Sequence, residues 1–448
     1  MTTPRSAPPV RPREIFGWAM FDFANSSYTT IVVTVAFGNY FTTLVAPGPR
    51  GDALWGLAIT VSNAAVMLLS VVVGAMADGA ARKKAFLFAS YLLCVLGTAG
   101  LWFATPGRVV LALTLFVASN VAFSLGENFT SSFLPELSTP KTIGRISGFG
   151  WGLGYVGGLL SLAAIVPLVS GDFVPENLGN LRLVWVVNAA FFLLAGLPTF
   201  LLLRERAVPT PGRSWAQHAG DGLLRVVETV REIRHFGQLA RFLVVFFLFQ
   251  AGLTTMFAFA GIYAVQTIGF SGSDLISLFL VLNVSAAVGA LGFGFVQDRI
   301  GVKRTIQITL AGWIVVCAAA YLTHTAAQFW GVATLAGLGI GSLQSAARAM
   351  VGLFAPVEKS GELFGFWGLA GKGAYATGPL VFGLVSSATG SQRVAILATG
   401  GFFVLGLVGM AFVDEGAGRR AAEEWDRRER RGDRDAGSDV GGGRAAPA

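Results

Sequence analysis

With 448 residues, of which 54% are hydrophobic and only 13% charged, and with 36 Phe and 58 Gly, the chain carries more apolar surface than water tolerates, and its mean hydropathy of +0.64 excludes a soluble globular class. The net charge of +8 raises nucleic acid as a partner, but nearly all the basic residues fall in alternate connections between apolar stretches, a pattern that orients a membrane protein and calls for no nucleic acid. Cys94 and Cys317 each lie inside an apolar stretch, which suggests neither a disulfide framework nor a metal site.

In chain order, residues 1–15 form an Arg- and Pro-rich lead without a secretory cleavage pattern, so the first apolar segment is expected to be retained. A membrane span needs about 20 mostly apolar residues. Such segments recur at 16–45, 53–77, 85–104, 108–133, 143–169 and 183–203, and again at 242–266, 274–297, 304–323, 327–354, 363–388 and 394–413. The expectation is an all-α integral membrane protein of about twelve transmembrane helices, in an N-terminal bundle at 16–203 and a C-terminal bundle at 242–413. The segment between them, 204–241, begins as a linker and then places Leu223, Val226, Val227, Val230 and Ile233 on one helical face over Asp221–Leu239. That face suits an amphipathic helix on the membrane surface, and the same residues suit a solvated connector. The tail, 414–448, reads as disordered and soluble.

Arg5, Arg11, Arg13, Arg82, Lys83, Lys84, Lys141, Arg145, the 204–241 segment, Arg299, Lys303, Arg304, Lys359 and the arginine-rich tail all fall on one side of this arrangement, against only Arg50, Arg108, Arg182 and Arg393 on the other. The positive-inside rule then puts both termini and the middle segment in the cytoplasm of a plasma (inner) membrane protein.

The two halves repeat each other. Gly74 and Asp78, followed by Arg82, Lys83 and Lys84, align with Gly294, Asp298, Arg299 and Gly301, followed by Lys303 and Arg304; Phe133 and Pro135 align with Phe354 and Pro356, and Gly148-Phe149 with Gly365-Phe366. Parallel halves of six spans are how many secondary transporters are built, with the substrate site at the midplane between them. An acid at the end of one helix can hold the positive N-terminal end of another helix and release it on a change of conformation. The same loop also suits a tight turn with a topology signal.

These residues resemble the Gly-x-x-x-Asp-Arg-x-Gly-basic-basic loop of the major facilitator superfamily. The second copy matches it well, whereas the first has Gly79 and Ala81 where the superfamily has Arg and Gly. Three further stretches resemble the vacuolar-effluxer-like, autophagy-related branch and its bacterial relatives: Gly17 to Ser27, Phe133-Leu134-Pro135-Glu136-Leu137 leading into Gly144-Arg145-Ile146-Ser147-Gly148-Phe149-Gly150, and Phe364-Gly365-Phe366 through Gly371-Lys372. The resemblance covers residues 14 to 413. It implies alternation between inward-open and outward-open states, with spans one, four, seven and ten lining a central cavity.

A charge inside a span is costly and marks function by default. Asp22, Glu127, Arg348 and Lys372 are the four such residues, the acids in the first half and the bases in the second. The Pro135–Pro356 alignment sets Glu127 on Arg348, so the two are expected to face each other across the cavity, as a gate or as a clamp on a zwitterion. Asp22, Asn25 and Thr29, at i, i+3 and i+7, share a helical face on which a desolvated carboxyl is placed to take a proton in one conformation only; the same small polar groups also suit capping and helix contacts. The glycines from Gly148 to Gly158 and from Gly365 to Gly378 are spaced for close helix contacts.

His218, His235 and His324 have no partners for a catalytic triad or a ligand cluster, and no phosphate loop is present. The expected function is therefore not enzymatic: secondary transport of a small polar or zwitterionic metabolite such as an amino acid, exported with protons as coupling ion by a monomer in contact with membrane lipid, without cofactor or metal. An exporter of amphiphilic drugs or lipids is the alternative within transport, and a non-transporting scaffold or sensor the alternative outside it.

Overall fold

The computed structural model describes residues 9–169, 173–206 and 236–439. Most of the expected amphipathic stretch Asp221–Leu239 lies outside them, as does the start of the N-terminal lead. The described chain is helical almost throughout. The helices are α1 (Pro12–Tyr28), α2 (Pro49–Gly79), α3 (Lys83–Gly100), α4 (Val109–Ser132), α5 (Ile143–Val169), α6 (Leu178–Leu202), α7 (Gly237–Tyr263), α8 (Gly272–Ile300), α9 (Val302–Leu322), α10 (Ala326–Phe354), α11 (Ser360–Thr389), α12 (Gln392–Ala411) and α13 (Glu415–Asp439).

Among the described residues, ten helices of 20 to 32 residues are long and apolar enough to cross a bilayer, and a bent segment, Pro12–Val35 followed by Phe37–Val45 at 40°, makes an eleventh. The bend follows a π-helical stretch, Thr29–Val35, whose sequence TTIVVTV crowds β-branched side chains onto the preceding turn. Helix α11 completes the set of twelve at 30 residues. Its apolar character is diluted by glycine, Glu362 and Lys372 because it packs between other helices. Large apolar side chains such as Leu68, Val110, Leu201 and Phe412 stand fully outward, as lipid-facing positions do.

The first half, α1–α6, and the second, α7–α12, meet along two antiparallel helix pairs, α2 with α11 and α5 with α8. Lipid tails give no hydrophobic reward for joining helices, so contact depends on close backbone approach. At the α2–α11 crossing, a Cβ on Gly365 would lie 2.5 Å from the Ser70 carbonyl oxygen, and one on Gly148 at the α5–α8 crossing would strike the Ala290 carbonyl. Among the described residues, the hydrogen bonds that join the halves run from the face where the termini lie up to the level of Asp22. They include Ser70 Oγ to Gly365 O at 3.1 Å and Ser147 Oγ to Ser345 O at 2.8 Å. The structure is thus closed on that face.

The tail expected to be disordered from 414 onward is instead helical over Glu415–Asp439. Composition alone misled because the segment gains from pairs one turn apart, Arg419–Glu423 at 3.6 Å and Glu423–Arg427 at 3.5 Å, and from docking. Glu415 accepts the Lys303 N–H at 2.8 Å, Trp425 packs on Phe236 at 5.2 Å between centroids, and the Lys359 ammonium stands 4.3 Å over the Trp425 ring.

Candidate transport site

Two acids close the termini face in the same way. Asp78, at the end of α2, accepts the Gly361 and Glu362 N–H groups at 3.0 and 2.8 Å, and so caps the N-terminus of α11 in the other half. Asp298, near the end of α8, accepts the Gly144 and Arg145 N–H groups at 2.9 and 3.4 Å and caps the N-terminus of α5. Each contact pairs a carboxylate with the positive end of a helix dipole. Gly74 and Gly294 allow the approach, since a Cβ on Gly74 would collide with the Gly361 carbonyl and one on Gly294 would lie 3.1 Å from Arg145 Cα.

Lys83 is sealed into the first of these contacts. Its ammonium donates to Glu136 Oε1 at 2.8 Å, Ser360 Oγ at 2.7 Å and Val357 O at 2.9 Å, and lies 3.6 Å from Asp78. In the second copy Lys303 engages Glu415 only through its backbone, and Arg299 and Arg304, like Arg82 of the first copy, are exposed. The third residue after each acid has positive φ: Gly301 at 93° and Ala81 at 49°. Alanine thus occupies a left-handed position that glycine fills in the repeat.

Deeper in the bundle, Arg348 of α10 is enclosed. Its Nη1 donates to Asp22 Oδ2 at 2.6 Å, its Nη2 to Ser147 O at 2.9 Å and its Nε to Ser147 Oγ at 3.2 Å. The guanidinium lies over the indoles of Trp18 and Trp151, 4.8 and 5.4 Å from their centroids. A Cβ on Gly150 would collide with Asp22 and Arg348 together, so the cage needs glycine there. The salt bridge is almost dry, at 2% side-chain exposure for Arg348 and 12% for Asp22. Such a pair stabilises only while both partners stay charged and bonded.

The expected pairing of Glu127 with Arg348 is therefore corrected: the acid that Arg348 meets is Asp22. Pseudo-symmetric alignment sets depth along a helix and says nothing of the direction a side chain takes around it. Here Asn128, the next residue on α4, faces α11, and a Cβ on Gly368 would lie 2.7 Å from its Oδ1. Glu127 and Lys372 are half-buried, and among the described residues neither forms an ion pair within 4.0 Å. The Lys372 ammonium stands 5.5 Å over the Tyr375 ring. Asn25 is buried with its Oδ1 unpartnered, and Thr29 opens the π-helical stretch.

Several contributors carried no individual role in the sequence reading. Ser147 and Glu136 stood within quoted stretches, but partners 201 and 53 residues away give no sequence signal. Trp18 also stood within a quoted stretch, Gly17 to Ser27, and nothing in the sequence marks it or Trp151 as a partner of Arg348.

The profile described as "Vacuole effluxer Atg22 like" matches residues 52–423. The chain belongs to this family. It is 26% identical over 407 residues to the uncharacterized MFS-type transporter YxiO of Bacillus subtilis (strain 168), covering 89% of this chain and 94% of that one. It is 24% identical over 324 residues to autophagy-related protein 22-1 of Aspergillus niger, covering 67% of this chain but only 52% of the fungal protein. The fold is that of the E. coli fucose:proton symporter FucP, with a TM-score of 0.71 at 15% identity over 90% of this chain and 98% of that one. The protein is an integral membrane protein of the major facilitator type, and its family and fold are those of transporters.

Proposed function

We propose that this Atg22-like protein exports a small zwitterionic metabolite, an amino acid, by alternating access in exchange for protons. One observation carries the reading: Asp22, Glu127, Arg348 and Lys372 come from four helices in both halves and gather in the interior of the bundle, where uncompensated charge is expensive. Two cations and two anions suit a ligand that carries one charge of each sign. Asp22, bonded to a cation of the other half, suits a proton-coupled release of that bond. The Asp78–α11 and Asp298–α5 contacts then act as the latch of the closed face and part when the protein turns to its other state. The half-to-half arrangement supports 16–203 and 242–413 as the two moving bundles.

The termini face is assigned to the cytoplasm of a plasma membrane. Cysteines at Arg50 and Arg420 should react with impermeant maleimide from opposite sides, and labelling from one side overturns the topology. Function is tested with the full chain in proteoliposomes, by counterflow of each of the twenty labelled amino acids with and without an inward-acid pH gradient. Counterflow of at least one that responds to the gradient is expected; no movement of any of them refutes the reading.

A further inference from the structure

The four interior charges are not equivalent. Arg348 has three hydrogen bonds, one of them its ion pair with Asp22, lies over two indole rings and keeps 2% side-chain exposure, so a ligand could reach it only by displacing these partners. Lys372 is the opposite case. Among the described residues it has no hydrogen bond and no ion pair within 4.0 Å, only the Tyr375 ring at 5.5 Å.

Beside it lies a row of polar groups that the fold leaves unused. Ser124 Oγ and Asn128 Nδ2 are one turn apart on α4, both buried and both without a partner. Asn128 packs on Gly368, one turn before Lys372 on α11, and because the helices are antiparallel this brings Ser124 to the level of Lys372. A hydroxyl, an amide N–H and an ammonium are the donor set that a carboxylate takes. Glu127, next to Asn128, and the unpartnered, buried Oδ1 of Asn25 on α1 supply acceptors, which an ammonium requires.

We propose that Lys372 and Glu127 are the two poles of the substrate site: the Lys372 ammonium, with Ser124 and Asn128, receives the carboxylate of an α-amino acid, Glu127 receives its ammonium, and the Asp22–Arg348 pair belongs to the closure rather than to the ligand. This assignment rests on the reading of the protein as an amino-acid transporter. Lys372 and Glu127 form no ion pair within 4.0 Å, yet Glu127 adjoins Asn128, which packs on α11 one turn before Lys372, and a zwitterion suits the gap between them. A neutral sugar has no use for either pole. An amphiphilic cation has use for Glu127 alone.

The test compares three probes on purified full-length protein in nanodiscs: the amino acid of the twenty that raises its melting temperature most, the amine obtained by removing the carboxylate, and the acid obtained by removing the amino group. In the wild type both analogues are expected to bind roughly tenfold or more weakly, the loss that goes with a charge-assisted contact. Lys372→Met should bring the amine level with the amino acid while keeping the preference over the acid. Glu127→Gln should do the reverse. Should Lys372→Met bind nothing, Lys372→Arg decides: recovered binding with the carboxylate preference supports the assignment, and continued loss overturns it. If no amino acid binds the wild type, the proposed function falls and this assignment with it; if one binds and Lys372→Met and Glu127→Gln leave both preferences at their wild-type ratios, only the assignment falls.

Discussion

Alanine at Gly365 and at Gly157 should have different consequences, although both glycines sit in tight helix crossings. A Cβ on Gly365 would lie 2.5 Å from Ser70 O, 2.7 Å from Val71 Cα and 2.8 Å from Ser70 C, all backbone atoms of the other half that cannot rotate away. Overpacking of this kind costs about 1–3 kcal/mol; the helix-forming advantage of alanine, up to ~1 kcal/mol, is common to both conformations and cancels from the difference between them. The overpacking acts only where α2 and α11 touch, in the closed-face state. A net shift of about 1–3 kcal/mol corresponds to roughly 5- to 150-fold in the conformational equilibrium. A Cβ on Gly157 instead meets Phe23 O within the first half, so its cost falls on every folded state alike. The reporter is Ser345→Cys, a fully buried position whose carbonyl accepts from Ser147 across the halves, in a background of Cys94→Ala and Cys317→Ala. Gly365→Ala should speed maleimide labelling of this cysteine from the termini face at least several-fold with little change in melting temperature. Gly157→Ala should lower the melting temperature and leave labelling unchanged. Equal melting losses, with no change of labelling in either variant, would refute the view that the halves part at this crossing.

Four further outcomes are expected. In a double-mutant cycle, Asp22→Asn and Arg348→Gln should couple strongly because removing either leaves the other buried and unpaired, while Glu127→Gln and Arg348→Gln should be nearly additive; a larger coupling for the second pair would contradict the geometry. Ala81→Gly should stabilise the protein by about 1 kcal/mol, since Ala81 holds φ at 49°, and an unchanged melting curve would count against that strain. Burial pushes the Glu205 carboxyl above its ordinary value of 4.5, although it accepts the Lys84 N–H at 2.7 Å. The folded state therefore holds that proton more tightly than the unfolded chain, and the resulting stability is complete below pH 4.5 and lost as the pH rises through the raised value. Glu205→Gln should remove that decline from the melting profile; a parallel profile would exclude Glu205 as its source. Trp425→Ala should cost about 1–2 kcal/mol by removing the contact with Phe236 and the Lys359 cation–π interaction, and an undisturbed melting temperature would mean that α13 does not hold this face.

The number and placement of the spans, the repeat of Asp78 in Asp298, the family and the four interior charges were all legible in the sequence, because each depends on local length, polarity or spacing along the chain. A stretch long enough to cross hydrocarbon must be helical wherever its neighbours lie, and a charge within it stands out against that background. Which charges meet was not legible. Around a helix each residue turns the side chain by about 100°, so a shift of one position separates Asn128, which faces α11, from Glu127, and the rotation and tilt that decide this come from packing against several helices at once. The same holds for the indoles around Arg348, for Glu136 and Ser360 around Lys83, and for α13, whose charged sequence becomes a docked helix because Glu415 meets Lys303 of α9, Trp425 meets Phe236 and Lys359, and Ala422 is buried. Sequence sets which groups the membrane will not tolerate alone; the assembled bundle decides which of them satisfy one another and which are left for a substrate.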